Sequence, residues 1–227
     1  MKRILFIVAA FASFAIPAIG HAAPPKPGPY VAGFIGISVP QNADVTGIDT
    51  SLTPPDINDR AEFDPSINIG GSGGYDFGFV RLEGELSYKR AEFSRVRDQV
   101  TGDTFVRADG GIGVFAVMAN GFVDLHNNSP VTPYIGGGIG FATLHRDDIT
   151  AIQSGAGRRL LYPSDDDTVF AYQAGAGLEI ALNRRLSLDL GYRYFATDTA
   201  TFDNDVFTTT NIKFESHNFA AGVRFKF

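Results

Sequence analysis

Asn218-Phe219-Ala220-Ala221-Gly222-Val223-Arg224-Phe225-Lys226-Phe227 decides how the chain folds. Side chains along a strand alternate with a period of two. Phe219, Ala221, Val223, Phe225 and Phe227 therefore share one face, and Asn218, Ala220, Gly222, Arg224 and Lys226 the other. Three phenylalanines on one side and two cations on the other divide hydrocarbon from a polar interior, as a transmembrane β-strand does. A strand of a soluble sandwich has the same period, so the rest of the chain must separate the two readings.

The opposite end agrees with the membrane. Lys2 and Arg3 precede an apolar stretch from Ile4 to Ile16, then small residues and Pro24, Pro25 and Pro27. A basic start, a short apolar middle and a small-residue exit predict a secretory signal peptide over 1–22, cut after Ala22 or, nearly as well, after Gly20. The apolar stretch is shorter than the roughly 20 residues a spanning helix needs. An exported chain with no cysteine must hold together without disulfides. A closed barrel does so, because its ladder has no open edge. Loss of Lys2 and Arg3 takes the formal charge from −6 to −8. An acidic chain without a basic stripe is a poor partner for nucleic acid.

Alternation then predicts eight strands. In the seventh, Leu186, Leu188, Leu190, Tyr192 and Tyr194 oppose Ser187, Asp189, Gly191, Arg193 and Phe195. In the third, Val80, Leu82, Leu86 and Tyr88 oppose Arg81, Glu83, Glu85, Ser87 and Lys89. In the sixth, Phe170, Tyr172, Ala174, Ala176, Leu178 and Ile180 oppose Gln173, Gly175, Gly177 and Glu179. A helical period would mix these carboxylates with the leucines. Four further strands, near Tyr30–Val39, Ser66–Tyr75, Gly111–Asp124 and Tyr134–Leu144, are rich in glycine, which spares volume inside a narrow barrel or marks bulges.

The connections alternate in length. Short ones fall near Asp76–Gly78, Leu125–Thr132 and Asn183–Arg185; long polar ones span about 41–64, 94–108, 145–167 and 197–213. Outer-membrane barrels have short periplasmic turns and longer extracellular loops. The expectation for 23–227 is an all-β, eight-stranded antiparallel up-and-down transmembrane β-barrel, its eighth strand closing on its first and its four long loops extracellular.

Pro133-Tyr134-Ile135-Gly136-Gly137-Gly138-Ile139-Gly140, Ala171-Tyr172-Gln173-Ala174-Gly175-Ala176-Gly177 and Leu188-Asp189-Leu190-Gly191-Tyr192-Arg193-Tyr194 resemble the small outer-membrane β-barrel proteins, which include the transmembrane domain of outer membrane protein A and the opacity-type surface antigens. The ending Gly222-x-x-Phe225-x-Phe227 resembles the signal by which the barrel-assembly machinery captures a last strand, although Ala220 is apolar where that signal is usually polar. No peptidoglycan-binding domain follows Phe227, so that anchoring activity is not implied. The resemblance implies a non-enzymatic barrel of the Gram-negative outer membrane, in contact with lipid and lipopolysaccharide. Its structural role lies in the envelope, and its loops meet an extracellular or host ligand as adhesin or surface antigen.

The same alternation puts Arg81, Glu83, Glu85, Lys89, Glu179, Asp189, Arg193, Arg224 and Lys226 on the face away from lipid. Unpaired charges in a confined bore are costly, so Arg81, Glu83, Glu85, Glu179, Asp189, Arg193 and Arg224 are expected to form a paired network, with Lys89 and Lys226 as solvated rim charges. An ion path, and hence a small porin, is the alternative. Glu83 and Glu85 share a face, but Arg81 and Lys89 flank them, which favours pairing over acid/base chemistry. His126 and Ser129 raise the possibility of a lipid A-modifying enzyme, yet they sit in a predicted periplasmic turn with no third group to orient the histidine. His145 and His217 fall near the outer ends of strands without a supporting ligand set.

Asp147-Asp148, Asp165-Asp166-Asp167 and Asp203-Asn204-Asp205 lack calcium-loop spacing and read as solvated loop tips; Arg158 and Arg159 would pair across a loop or meet lipopolysaccharide phosphates. No cofactor or metal is expected. Tyr88, Tyr172, Tyr192, Tyr194 and Phe227 are candidate interface aromatics, and Phe195 a packing residue.

Overall fold

The computed structural model describes residues 27–49, 56–98, 104–125, 129–153, 157–162, 164–205 and 208–227. The segment expected as signal peptide, 1–22, lies outside them. Eight long strands form the wall: β1 (Gly28–Pro40), β4 (Ser66–Asp76), β5 (Val80–Asp98), β7 (Gly111–Asp124), β8 (Val131–Arg146), β11 (Asp165–Ala181), β12 (Leu186–Asp205) and β13 (Thr208–Lys226). Each pairs antiparallel with its neighbour in sequence among these eight, and β13 returns to β1 with Tyr30 opposite Lys226 and Pro40 opposite Ser216. The meander therefore closes into an eight-stranded antiparallel barrel.

The outer surface is an apolar belt. Ile35, Ile69, Leu86, Val117, Ile139 and Phe141 all point outward with between 47% and 61% of their surface exposed. Exposed apolar area that encircles a molecule is not tolerated in water. In a bilayer it is the required surface. Aromatic side chains edge the belt: Phe77, Phe79 and Phe227 at the end that carries the termini, Tyr88, Tyr172 and Tyr192 toward the other. At the termini end the strands join by short turns, one of them built on Gly78 at φ 108°, a conformation that favours glycine, with its N–H donating to Asp76 Oδ1 at 2.7 Å.

At the opposite rim the structure departs from the expected long loops. Segment 41–64 folds into the hairpin β2 (Ala43–Asp49) and β3 (Asp56–Asp64). β2 pairs with β13 above the end of β1, and β3 with β5 above the end of β4, so the hairpin continues the wall. Segment 94–108 holds the end of β5 and most of β6 (Thr104–Asp109); 145–167 holds β9 (Ile149–Gln153) and β10 (Gly157–Tyr162); and 197–213 is largely the paired ends of β12 and β13. Polar composition suggested loops because these strands stand beyond hydrocarbon, where the outer face need not be apolar. A register shift between Ala196 and Thr199 places Phe195 and Thr197, then Ala200 and Phe202, on the inside, reversing the parity of β12 midway.

The inward glycines of β8 and β11 make room inside the bore rather than bulges. A Cβ on Gly177 would lie 2.4 Å from the Tyr134 ring, and one on Gly136 would lie 2.4 Å from Phe122. Outward-facing Gly84 has open space around it. Gly177→Val should therefore cost about 1–3 kcal/mol through overpacking. Gly84→Val should leave stability unchanged. Urea unfolding of the refolded protein, followed by the heat-modifiable shift on a gel, separates the two variants.

Candidate functional site

The interior is divided along its length. Toward the termini end, β5, β11, β12 and β13 point charged side chains inward, because their inward positions coincide with the polar half of each alternation. Arg81 lies 2.8 Å from Asp124, and both side chains are almost fully buried. Its two terminal nitrogens have no hydrogen-bond partner among the described residues. The guanidinium instead lies over the rings of Tyr134 and Phe122, at 4.7 and 5.2 Å from their centroids, where the negative faces of the rings attract it. Arg224 pairs with Glu179 and reaches Asp189 at 3.0 Å, with Tyr30 beneath it at 4.9 Å. The Tyr134 hydroxyl donates to Asp189 at 2.7 Å.

One step along the bore, Arg193 pairs with Glu85 and lies 3.8 Å from Glu83. Tyr30 and Ser72 donate to Glu83 at 2.8 and 3.1 Å; Asn120 and Gln173 donate to Glu85 at 3.0 and 3.4 Å. Every interior charge of the sequence reading thus has a partner of opposite sign in this lattice, apart from Lys89. Glu83 and Glu85 are each held by several donors.

Two assignments change. Lys226 is no solvated rim charge: it is 3% exposed and its Nζ lies 2.5 Å from Asp76 Oδ2. Lys89 is 2% exposed, donates to Ser87 Oγ at 3.0 Å and lies 4.1 Å over the Phe195 ring. Lys89 lies inside because β5 continues past it to Asp98, and Lys226, the last residue of β13, is drawn inward by its pair with Asp76. Sequence reading also left Asp76 and Asp124 in turns or at strand ends. Their signal was present, since Asp76 continues the inward row Gly70, Ser72, Gly74 on β4, and Asp124 the row Asn120, Phe122 on β7.

Beyond Lys89 the bore becomes mostly apolar, although buried Arg146 also lies there, donating to Thr210 Oγ1 at 2.9 Å with its guanidinium 4.5 Å over the Phe202 ring. Phe63, Ile112, Leu144, Phe195, Phe202 and Phe214 are buried there in one cluster, together with alanines and Met118. This plug fills the half of the interior away from the termini. It was not legible because Ile112, Val114 and Ala116 point inward on the same stretch of β7 whose Phe115 and Val117 point outward, so the alternation of polarity disappears.

Residues suspected of other chemistry are dispersed. Ser129 closes a turn by accepting from the Val131 N–H at 2.9 Å, and His126 lies outside the described residues. His217 is bonded to Tyr192 at 2.8 Å on the outer surface, and exposed His145 lies 3.9 Å from Asp147. Asp147 takes Arg90 at 2.8 Å, and Asp167 accepts the Thr201 N–H at 2.9 Å. No group of residues able to hold a metal occurs among the described residues. The side chains of Arg158, Arg159, Asp203 and Asp205 lie outside those described.

A closed eight-strand ring, a lipid-facing belt and a sealed charged interior are the attributes of an outer-membrane barrel, and the family described as "Outer membrane protein beta-barrel domain" matches residues 6–227. The chain belongs to that family. It is similar to the outer membrane protein PagN of Salmonella typhimurium, at 26% identity over 89% of this chain and 91% of that one. It is also similar to a candidate adhesin of Rickettsia bellii, at 29% identity over 48% of this chain and 51% of that one. Among solved structures, the outer membrane protein OprG of Pseudomonas aeruginosa superposes with a TM-score of 0.57 at 14% identity, over 90% of this chain and 99% of that one, which is a likeness of fold. An outer-membrane location follows from the family.

The charge lattice has a measurable cost of disruption. Glu85→Ala leaves buried Arg193 with only the more distant Glu83 and should destabilise the barrel by about 3–5 kcal/mol in urea. Adding Arg193→Met, which removes the stranded cation, should recover part of that loss.

Proposed function

We propose that this protein is a non-enzymatic surface-display barrel: a rigid outer-membrane wall that carries a folded β-crown into the medium as a contact surface for an extracellular or host ligand. The observation that carries this reading is the continuation of the sheet past the belt through β2, β3, β6 and β9, which makes the crown an extension of the wall. Likeness to a candidate adhesin supports the adhesive part. In this reading 1–22 is removed on export, both ends of the mature chain and the short turns face the periplasm, and outer-leaflet lipid and lipopolysaccharide meet the tyrosine edge of the belt. Gly222, Phe225 and Phe227 serve the barrel-assembly machinery, with Phe227 protruding at 71% exposure and a side chain at Gly222 blocked by the Gly33 carbonyl at 2.8 Å from its would-be Cβ.

The apolar plug argues against a porin. Phe195, Phe202 and Phe214 pack in the bore above the charge lattice, where an ion would meet few polar groups besides Arg146 and Thr210. The engagement of Glu83 and Glu85 in the interior network, and of Ser129 in its turn, argues against an enzyme of lipid A.

The test combines two measurements. Non-adherent cells that display the protein should bind host-cell monolayers, and excision of Ala43–Asp64 should abolish that binding while heat-modifiable migration persists. Refolded protein in planar bilayers should be silent. Unchanged adhesion after excision removes the crown from the function, and steady channels in the bilayer reinstate the porin.

A further inference from the structure

Around the Arg193–Glu85 pair the bore is not filled. A cavity of about 30 Å³ lies there, lined by Asn68, Lys89, Gln173, Arg193 and Asn218 among others. A water molecule requires roughly 10–15 Å³ of such space and two to four polar partners, so about two fit.

Polar partners are in place. Asn218 Nδ2 donates to the carbonyls of Arg193 and Ser216 at 3.3 and 3.4 Å and to Ser216 Oγ at 3.1 Å, which fixes the amide orientation. Its Oδ1 is then left without a donor, as are Asn68 Oδ1 and Ser38 Oγ. All three residues are at most 4% exposed. They are neighbours across the wall: Ser38 faces Asn218 in the ladder and Asn68 faces Lys89. Lys89 brings three donors, of which Ser87 takes one, and no carboxylate lies within ion-pair distance of it among the described residues. Two of these acceptors, on Asn68 and Asn218, and the Lys89 ammonium thus border the same small space.

Charge decides what occupies it. Around the cavity the cations Lys89, Arg193 and Arg224 balance the anions Glu83, Glu85 and Asp189, so an ion would unbalance the site and a neutral guest would not. We infer that the cavity is a built hydration site, in which about two ordered waters bridge Asn68 and Asn218 to the Lys89 ammonium. Phe195, which covers Lys89, belongs to the apolar cluster. The assignment does not depend on adhesion.

Crystals of the refolded protein grown from a lipid phase with bromide in place of chloride test it directly. The expected result is water density beside Asn68, Asn218 and Lys89, with no anomalous signal at the bromine edge. A bromine peak beside Lys89 would make this an anion site, and an empty cavity would make it a packing defect; either overturns the proposal. The variant Lys89→Met retains a side chain over Phe195 and should lose the water nearest that position. Density unchanged in the variant would remove the lysine from the site and overturn the proposal as well.

Discussion

Eight strands enclose a bore barely wide enough for the side chains that point into it, and hydrocarbon surrounds the ring. Most inward charges therefore need, and find, a counter-charge within the molecule. Arg81 with Asp124, Arg193 with Glu85, and Arg224 with Glu179 and Asp189 answer that demand by reaching across the bore or to an adjoining strand. Breaking one pair exposes the partner to a medium that solvates it poorly, so the lattice is held as a whole. The inward glycines follow from the same shortage of volume: Gly177 and Gly136 yield the space that Tyr134 and Phe122 occupy.

The wall was readable wherever one face met lipid and the other met charge. Leu82 against Glu83, Leu188 against Asp189 and Phe225 against Lys226 each mark a side of the barrel without ambiguity. Two kinds of residue escaped. Where both sides are apolar, as at Val114 and Phe115, the period carries no contrast and the plug could not be seen. Where the outward side is polar and the inward side carries only a few apolar residues, such as Val45 and Phe63 in β2 and β3, strands read as loops. The pairs themselves were open in another way: alternation assigns Glu179 to the interior but says nothing of Arg224, which comes from a different strand 45 residues away.

The change of lining along the bore also sets how the barrel relates to its two sides. The charged half lies toward the termini, and the apolar half passes through the outer part of the belt into the crown, where Val45, Phe63 and Ile212 belong to the same packed cluster as Met118 and Ala116. Wall and crown consequently share one core. A crown supported this way presents its surface in a fixed orientation, which lowers the ordering cost that a mobile loop incurs on binding.

Lys226 and Asp76 meet although 150 residues separate them. The lysine stands on β13 and the aspartate on β4, with β1 between them, so the two atoms approach only after β1 has paired on both sides. This contact is a clasp on the finished ring. During biogenesis an open sheet would lack it, and the barrel would gain it at the moment its first and last strands join, releasing the chain from whatever held its edges apart.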